Sequence, residues 1–224
     1  MRVATIVLHY IVDQLTYEAV TGVLAQTISH DVIVIDAGSP SPYVDDRVSV
    51  YRKAALGGLA GSVNWAMQIL HDYDYVWNYT NDVTAPPEVL GALLGLMAED
   101  SNLAAVQPSM PSWHKHLNLG MGPGWSHVPY IEWAAPLISM DAWKDIGPLD
   151  PNFEMVNMDM DWCYRARMKG YRLVVNRDVC CGHPWRGTHD VLDYDIVAQA
   201  QRENAYGAKK YGRPDWKEYI TRCA

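Results

Sequence analysis

The run Val3–His9, with ATIVL at its centre, restricts the possible folds more than any other stretch of the chain. It shows no alternation of apolar and polar residues, so as a strand it must be buried on both faces. A sheet covered on both faces needs helices above and below it, and parallel neighbours reached by crossover. The following residues supply both. Thr16–Gln26 has helical period, with Ala19, Val20, Val23 and Leu24 on one face, and Val32–Ile35 is a second buried strand. Strand, helix and strand in this order make a right-handed parallel βαβ unit. In open α/β sheets ligands bind beyond the carboxyl ends of the strands, so the residues just after each strand carry the functional interest.

Further elements follow in the same rhythm. Val48–Tyr51 is a third strand. Gly57–Leu70, written GGLAGSVNWAMQIL, opens with glycines that let backbone approach backbone or ligand. It continues from Ser62 or a neighbour as a helix with Val63, Met67 and Leu70 on one face. It lacks the GK[ST] ending of a phosphate-binding P-loop. Tyr75–Tyr79 is a fourth strand ending in Thr80–Asp82. Pro86-Pro87 open a helix bearing Leu90, Leu93, Leu94 and Met97, and Leu103–Val106 is a fifth strand. Gln107–Val128 is a long irregular segment rich in Gly, Pro, His and Trp, and loops of such length are characteristically functional. His114, His116 and His127 lie in it without metal-site spacing. Ile131–Ser139 reads as a strand and Asp141–Ile146 as a short helix. Met155–Arg165 starts a helix that Lys169-Gly170 ends. Tyr171–Val175 is another strand. Asp190–Tyr211 is a closing amphipathic helix with Ile196, Ala200 and Ala205 on its apolar face.

At 224 residues, one α/β domain is expected, or a domain with a small appendage. A net charge of −8 argues against a broad nucleic-acid or anionic-membrane surface. No apolar run is long enough to span a bilayer. The N-terminal run lacks a small-residue cleavage site and is better explained as a core strand than as a signal peptide. The four Cys have neither disulfide-framework nor CxxC spacing, so a reducing, cytoplasmic location is expected. Nine Trp and fourteen Tyr stand beside one Phe, a bias towards side chains that join an apolar wall to a polar ligand.

The carboxylates carry the chemistry. Asp36 ends the second strand, where it can accept from a base N–H or a ribose hydroxyl, or close an Asx-turn. Asp82 ends the fourth strand, as a ligand or as a turn residue. Asp159 and Asp161 fall at a helix start, where the free N–H groups favour an ionised Asp both as a base and as a cap. Asp161 and Arg165 stand at i,i+4, the spacing of a helical salt bridge.

The order of these signals resembles a known family. IVLHY, VLAQT and VIVIDAGS (Ile6–Ser39) are similar to the opening of glycosyltransferase family 2, inverting enzymes of the GT-A fold, rhamnosyltransferase-like in type. GLAGSVN (Gly58–Asn64) resembles that family's Gly-rich segment, and NYTND-V its strand ending in the counterpart of the metal-binding DxD. Asp145–Leu173 resembles its Glu-Asp-x-Asp segment, and GHPWRGT its closing His loop. The resemblance implies a Rossmann-like, mostly parallel sheet flanked by helices, with a small acceptor-side extension. It implies that Asp36, Ser39, Gly58, Asn64 and Asn81 contact a nucleotide-diphosphate sugar, that Asp82 and His183 hold Mn²⁺ or Mg²⁺ against the diphosphate, and that Asp159 is the general base. Four features depart from the pattern: Thr80 stands for the first acid of DxD, Met158 for the Glu of Glu-Asp, and the usual Asn after the first strand and the Asn before the Gly-rich segment are absent. Trp113, Trp133 and Trp185 are the aromatic faces expected to stack on the acceptor. The acceptor itself stays open between a glycan, a protein, a small molecule and a modified DNA base. A catalytically decayed sugar-binding protein and a sugar nucleotidyltransferase are the alternatives.

Overall fold

A computed structural model of the chain describes residues 1–54, 57–111, 121–183 and 195–222. The elements in order are β1 (Val3–His9), α1 (Asp13–Leu24), β2 (Asp31–Asp36), β3 (Ser49–Arg52), α2 (Gly58–Ile69), β4 (Tyr75–Thr80), α3 (Val89–Glu99), β5 (Leu103–Ser109), β6 (Trp125–His127), β7 (Leu137–Ser139), α4 (Met140–Ile146), α5 (Met158–Met168), β8 (Arg172–Cys180), α6 (Ile196–Tyr211) and α7 (Trp216–Thr221). The strands form one eight-stranded sheet in the order β3-β2-β1-β4-β7-β5-β8-β6. β1 is buried along its whole length and pairs in parallel with β2 and β4. β7 runs antiparallel between β4 and β5, and β6 antiparallel at the edge beside β8.

Both faces of the sheet are covered, as the unbroken apolar run demands. Successive β1 side chains point to opposite faces. Ala4, Ile6 and Leu8 join a core with Val63 and Met67 of α2 and Trp162 of α5. Val3 and Val7 join the other, with Val20 of α1 and Leu93 of α3. The register then decides what gathers at the carboxyl edge. His9 lies opposite Asp36, Asp36 opposite Arg52, and Leu8 opposite Thr80.

The chain departs from its sequence pattern in four places. Gln107–Val128 is not wholly irregular: β5 runs on to Ser109, and Trp125–His127 pairs with β8, which itself extends to Cys180. A three-residue edge strand with two exposed side chains has no periodicity to read. Of Ile131–Ser139, only Leu137–Ser139 is a strand. Asn78 and Thr80 of β4 still donate to the Pro136 and Ala134 carbonyls, but Pro136 has no N–H to return. The two prolines at 86–87 lie in the turn before α3, whose N-cap is Glu88. Finally, α6 buries Gln199, Glu203 and Gly207, whereas Ala205 is exposed. Its fully buried positions are polar or small, with Tyr206, Ala208 and Tyr211 half-buried against the core beside them; Ile196 and Ala200 are half-buried, so of the expected apolar face only Ala205 points to solvent.

α7, which had no sequence signal, docks through Trp216. This ring is buried and stacks on Phe153 and Tyr211 at centroid distances of 5.5 Å. Gly207 of α6 faces it so closely that a Cβ would collide with the indole. Gly207→Ala is therefore expected to lower stability by about 1–3 kcal/mol despite the better helix propensity of Ala. Chemical denaturation of the two proteins checks the sign.

Candidate active site

At the carboxyl end of β2, Asp36 is fully buried. One oxygen accepts from the N–H groups of Gly38 (3.1 Å) and Ser39 (2.8 Å), which is the Asx-turn geometry. The other accepts from the Tyr43 N–H (3.3 Å) and the Arg52 guanidinium (3.1 Å). Burial would push this carboxyl up, but its bonds to Ser39 and Tyr43 outweigh burial and hold it below the usual carboxylate range. The Ser39 hydroxyl accepts from the Ile11 N–H (3.1 Å), joining the loops after β1 and β2. Ile11 has φ +66°, a left-handed conformation that a β-branched residue rarely takes, and the Val12 N–H closes a tight turn on the Tyr10 carbonyl (2.7 Å). Backbone strain of this kind concentrates at ligand sites. Beneath it, His9 is buried with Nδ1 2.7 Å from the Thr16 hydroxyl. Burial lowers its pKa against the pull of Asp36 and Asp13, so the imidazole is neutral. Asn81 donates to the same Thr16 hydroxyl (3.2 Å), tying the end of β4 to that of β1.

The end of β4 meets the chain beyond β8. Thr84 and Gly182 exchange backbone hydrogen bonds of 2.9 and 2.8 Å. Gly182 fits because a Cβ there would strike the Thr84 hydroxyl. This bridge brings His183 to Asp82, with Nε2 3.5 Å from Oδ1. That separation is long for a hydrogen bond and suits two ligands of one cation. Burial pushes the Asp82 carboxyl up, but His183 and Thr80 outweigh it and hold it low, so it stays ionised. Among the described residues there is no cluster of three metal-ligating side chains. A cation here would thus take Asp82, His183 and further oxygens from a ligand.

α5 runs back against the direction of β8, which places its N-terminus at the same carboxyl edge of the sheet. Asp159 and Asp161 both lie in its first turn and differ completely. Asp161 is fully buried and bound by Arg165 (2.9 Å), the Tyr211 hydroxyl (2.6 Å) and Lys210. Asp159 accepts from its neighbour's N–H, that of Met160 (2.7 Å), and is partly exposed. Burial pushes its pKa up to about 7, against the Met160 N–H and with help from the charges of Glu132 and Glu203. Lys217 of α7 lies near the same group; burial lowers its pKa against the pull of Asp159 and Glu203. Tyr130 is raised by burial and then by Asp159 and Glu132.

The remaining sequence candidates separate. Gly58 (φ +67°) begins α2, where a Cβ would lie 3.0 Å from the Glu154 carbonyl; the close approach is backbone to backbone. Both ends of the Asn64 amide are taken by Leu149, each at 2.9 Å. Trp133 is 3% exposed and packs at 5.3 Å from Trp162 and 6.2 Å from Trp143. Its ring belongs to the core, which corrects the expectation of an open stacking face. Trp113 and Trp185, with His114 and His116, lie outside the described residues. Met158 is buried in the core, so the missing acid at that position leaves no gap on the open side. Sequence reading missed Glu132, Glu203 and Lys217, all distant from Asp159 in the chain and carrying no motif of their own.

No family model matches the chain, and no curated protein matches it by sequence. Solved structures do match in fold. GalNAc-T7, described with UDP, GalNAc and Mn²⁺, shares 10% identity at a TM-score of 0.70, over 98% of this chain and 56% of its own. The mannosyltransferase PcManGT from Pyrobaculum calidifontis, in complex with GDP-Man and Mn²⁺, shares 19% at 0.71, over 99% and 68%. S. aureus TarS 1–349 shares 12% at 0.64, over 100% and 76%. This chain thus spans little more than half of the first of these structures. The mixed sheet and its flanking helices are those of the GT-A glycosyltransferase fold. Among the described residues no helix is long and apolar enough to cross a membrane.

The raised pKa of Asp159 has a consequence for stability. Its folded pKa of about 7 lies above the unfolded value of about 3.9. The protonated form is therefore the one the fold prefers, and stability contributed below pH 4 is lost as pH rises through 7. Asp159→Asn is expected to raise the melting temperature over wild type at pH 8, with the gain shrinking towards pH 4.5. Thermal melts at the two pH values measure it.

Proposed function

We propose that the chain is an inverting glycosyltransferase that moves a sugar from a nucleotide-diphosphate sugar to an acceptor hydroxyl. The observation that carries this reading is the pairing of two different carboxylate environments at one edge of a GT-A sheet. Asp82 is held ionised beside His183, and Asp159 is tuned to about pH 7 at the start of α5. A base is most useful when its pKa lies near the working pH. Asp159 takes the proton of the acceptor hydroxyl as that oxygen bonds to the anomeric carbon. The bond from that carbon to the diphosphate breaks on the opposite side, the electron pair leaves with the diphosphate, and the configuration inverts.

The donor side follows from the first half of the chain. Residues 1–107 bind the nucleotide, with Asp36 and Ser39 shaping the loop against which the base and ribose lie, and Asn81 at the end of β4. Residues 108–224 bind the acceptor and hold the base. Asp82 and His183 would hold Mn²⁺ or Mg²⁺, which when bound offsets the charge growing on the diphosphate. Support for a cation comes from the 3.5 Å spacing of these two donors and from the Mn²⁺ complexes of two structures of like fold. The free thiols of Cys163, Cys180 and Cys181 agree with a reducing, cytoplasmic location.

Two measurements test the reading. A nucleoside diphosphate with Mn²⁺ is expected to raise the melting temperature, since a ligand of the native state alone must do so. Asp82→Asn should remove the part of that shift that depends on Mn²⁺. No shift with UDP, GDP, ADP, CDP or dTDP would favour a decayed site. Asp159→Asn should lower transfer by roughly 10²–10⁴-fold and leave the nucleotide-induced shift intact. Retained turnover in that variant removes Asp159 from the role of base.

A further inference from the structure

Among the described residues outside the donor edge, Glu203 is the carboxylate that accepts the most hydrogen bonds. It sits on α6, 1% exposed, on a helix that follows the sheet and belongs to no strand crossover. One oxygen accepts from the Met155 N–H (2.8 Å) and from Gln199 of its own helix (2.9 Å). The other accepts from the N–H groups of Val156 (3.2 Å) and Asn157 (3.1 Å) and from the Asn157 side-chain amide (3.3 Å). Three consecutive backbone donors aimed at one anion form a concave nest. That nest is the segment leading into α5, and Asn157 is the N-cap residue of that helix. The N-cap side chain makes no capping bond to its own helix, so Glu203 fixes the entry that such a cap would otherwise set.

We propose that Glu203 is a positioning residue for the base: it clamps residues 155–157 so that the first turn of α5 presents Asp159 to the acceptor, making the C-terminal helix part of the active site. This inference rests on the glycosyltransferase reading for its kinetic consequence and on geometry alone for the clamp. A buried carboxylate on a polar helix face is otherwise a poor choice for stability, because an apolar residue of like volume would serve. A carboxylate is suited here because it can serve all three N–H groups and Asn157 at once. Its charge also acts on Asp159, which is faced as well by Glu132 and Tyr130 from the chain before β7, by Lys217 from α7 and by Cys163 on its own helix.

The experiment uses the full chain with Glu203→Gln, which keeps the shape and one acceptor oxygen, and Glu203→Ala as a second variant. Hydrogen exchange is read at the amides of residues 155–157, and steady-state transfer is measured from pH 5 to 9 well below the melting temperature. Exchange at these amides is expected to rise roughly tenfold or more in both variants, since bonds to a charged acceptor are among the stronger ones. In Glu203→Gln, kcat is expected to fall about tenfold or more with the donor KM within about twofold, because the loss falls on the chemical step and not on nucleotide binding. The acid limb of the kcat profile should move to lower pH, as removal of a negative neighbour makes Asp159 easier to ionise. Unchanged exchange in Glu203→Gln overturns the clamp. A kcat and acid limb identical to wild type, with exchange increased, overturns the positioning role and leaves a structural one. If wild type itself releases no nucleoside diphosphate from any donor, the glycosyltransferase reading fails while the exchange result still decides the clamp.

Discussion

The second half of this molecule depends on how residues 147–157 are held. The segment is a loop, so its backbone N–H and C=O groups need partners from outside. It finds them in both halves of the chain. Asn64 of α2 pairs with both backbone groups of Leu149, and the Ala60 N–H donates to the Glu154 carbonyl at 3.1 Å. Asp150 takes the Tyr206 hydroxyl (2.9 Å) and Lys210 (2.7 Å), both from α6. Arg165 of α5 reaches back to the carbonyls of Ile146 (3.0 Å) and Pro148 (2.7 Å). The Gly-rich segment is thus a backbone dock for this loop, and the positive φ of Gly58 is what lets the two chains approach. Gly58 and Asn64 therefore hold, from the first half of the chain, the loop that leads to Asp159.

The same loop separates two carboxylates that sequence places two residues apart. Asp161 turns inward, where Arg165, Lys210 and Tyr211 surround it with donors. Such a buried network rewards complete pairing and penalises any missing member heavily. Asp159 turns to the open side, with one backbone donor and the charges of Glu132 and Glu203 nearby. One helix turn therefore holds one carboxylate enclosed by cationic and hydroxyl donors and another raised by burial. Environment, not residue type, sets which is which. The Arg165 partner of Asp161 lies one helix turn away and is local, whereas Lys210, Tyr211, Glu132 and Glu203 are distant in the chain and carry no local motif.

What was legible in the sequence follows from this division. β1, α1, β2, β4 and the carboxyl-edge positions of Asp36 and Asp82 could be read, because strands buried on both faces leave unbroken apolar runs and the parallel rule then orients them. The Asp161–Arg165 pair could be read from spacing alone. β6, the shortened β7 and the docking of α7 could not, since short edge strands and a helix of six residues carry no period. α6 misled for a different reason. Its buried face is Gln199, Glu203 and Gly207, chosen for backbone donors and for the indole of Trp216 rather than for hydrophobicity. Trp133 misled because an aromatic residue near a loop serves core and ligand equally well until burial decides.

The low identity to structures of the same fold has a physical reading in these terms. The sheet and its two cores need only apolar residues of suitable volume at alternating positions, and many sequences satisfy that. The carboxyl edge is more demanding. There the chain carries a strained turn at Ile11, a buried neutral His9, a carboxylate held ionised beside His183 and another pushed up to about 7. The strained turn, the buried imidazole and the raised carboxyl each lower stability locally and persist only because surrounding groups over-determine them, whereas the lowered carboxyl of Asp82 contributes stability. The unusual investment of polar groups around residues 147–157 is of that kind. A helix face that buries Gln and Glu contributes less to folding than an apolar one, and here those groups satisfy the backbone N–H groups of residues 155–157 that lead into α5.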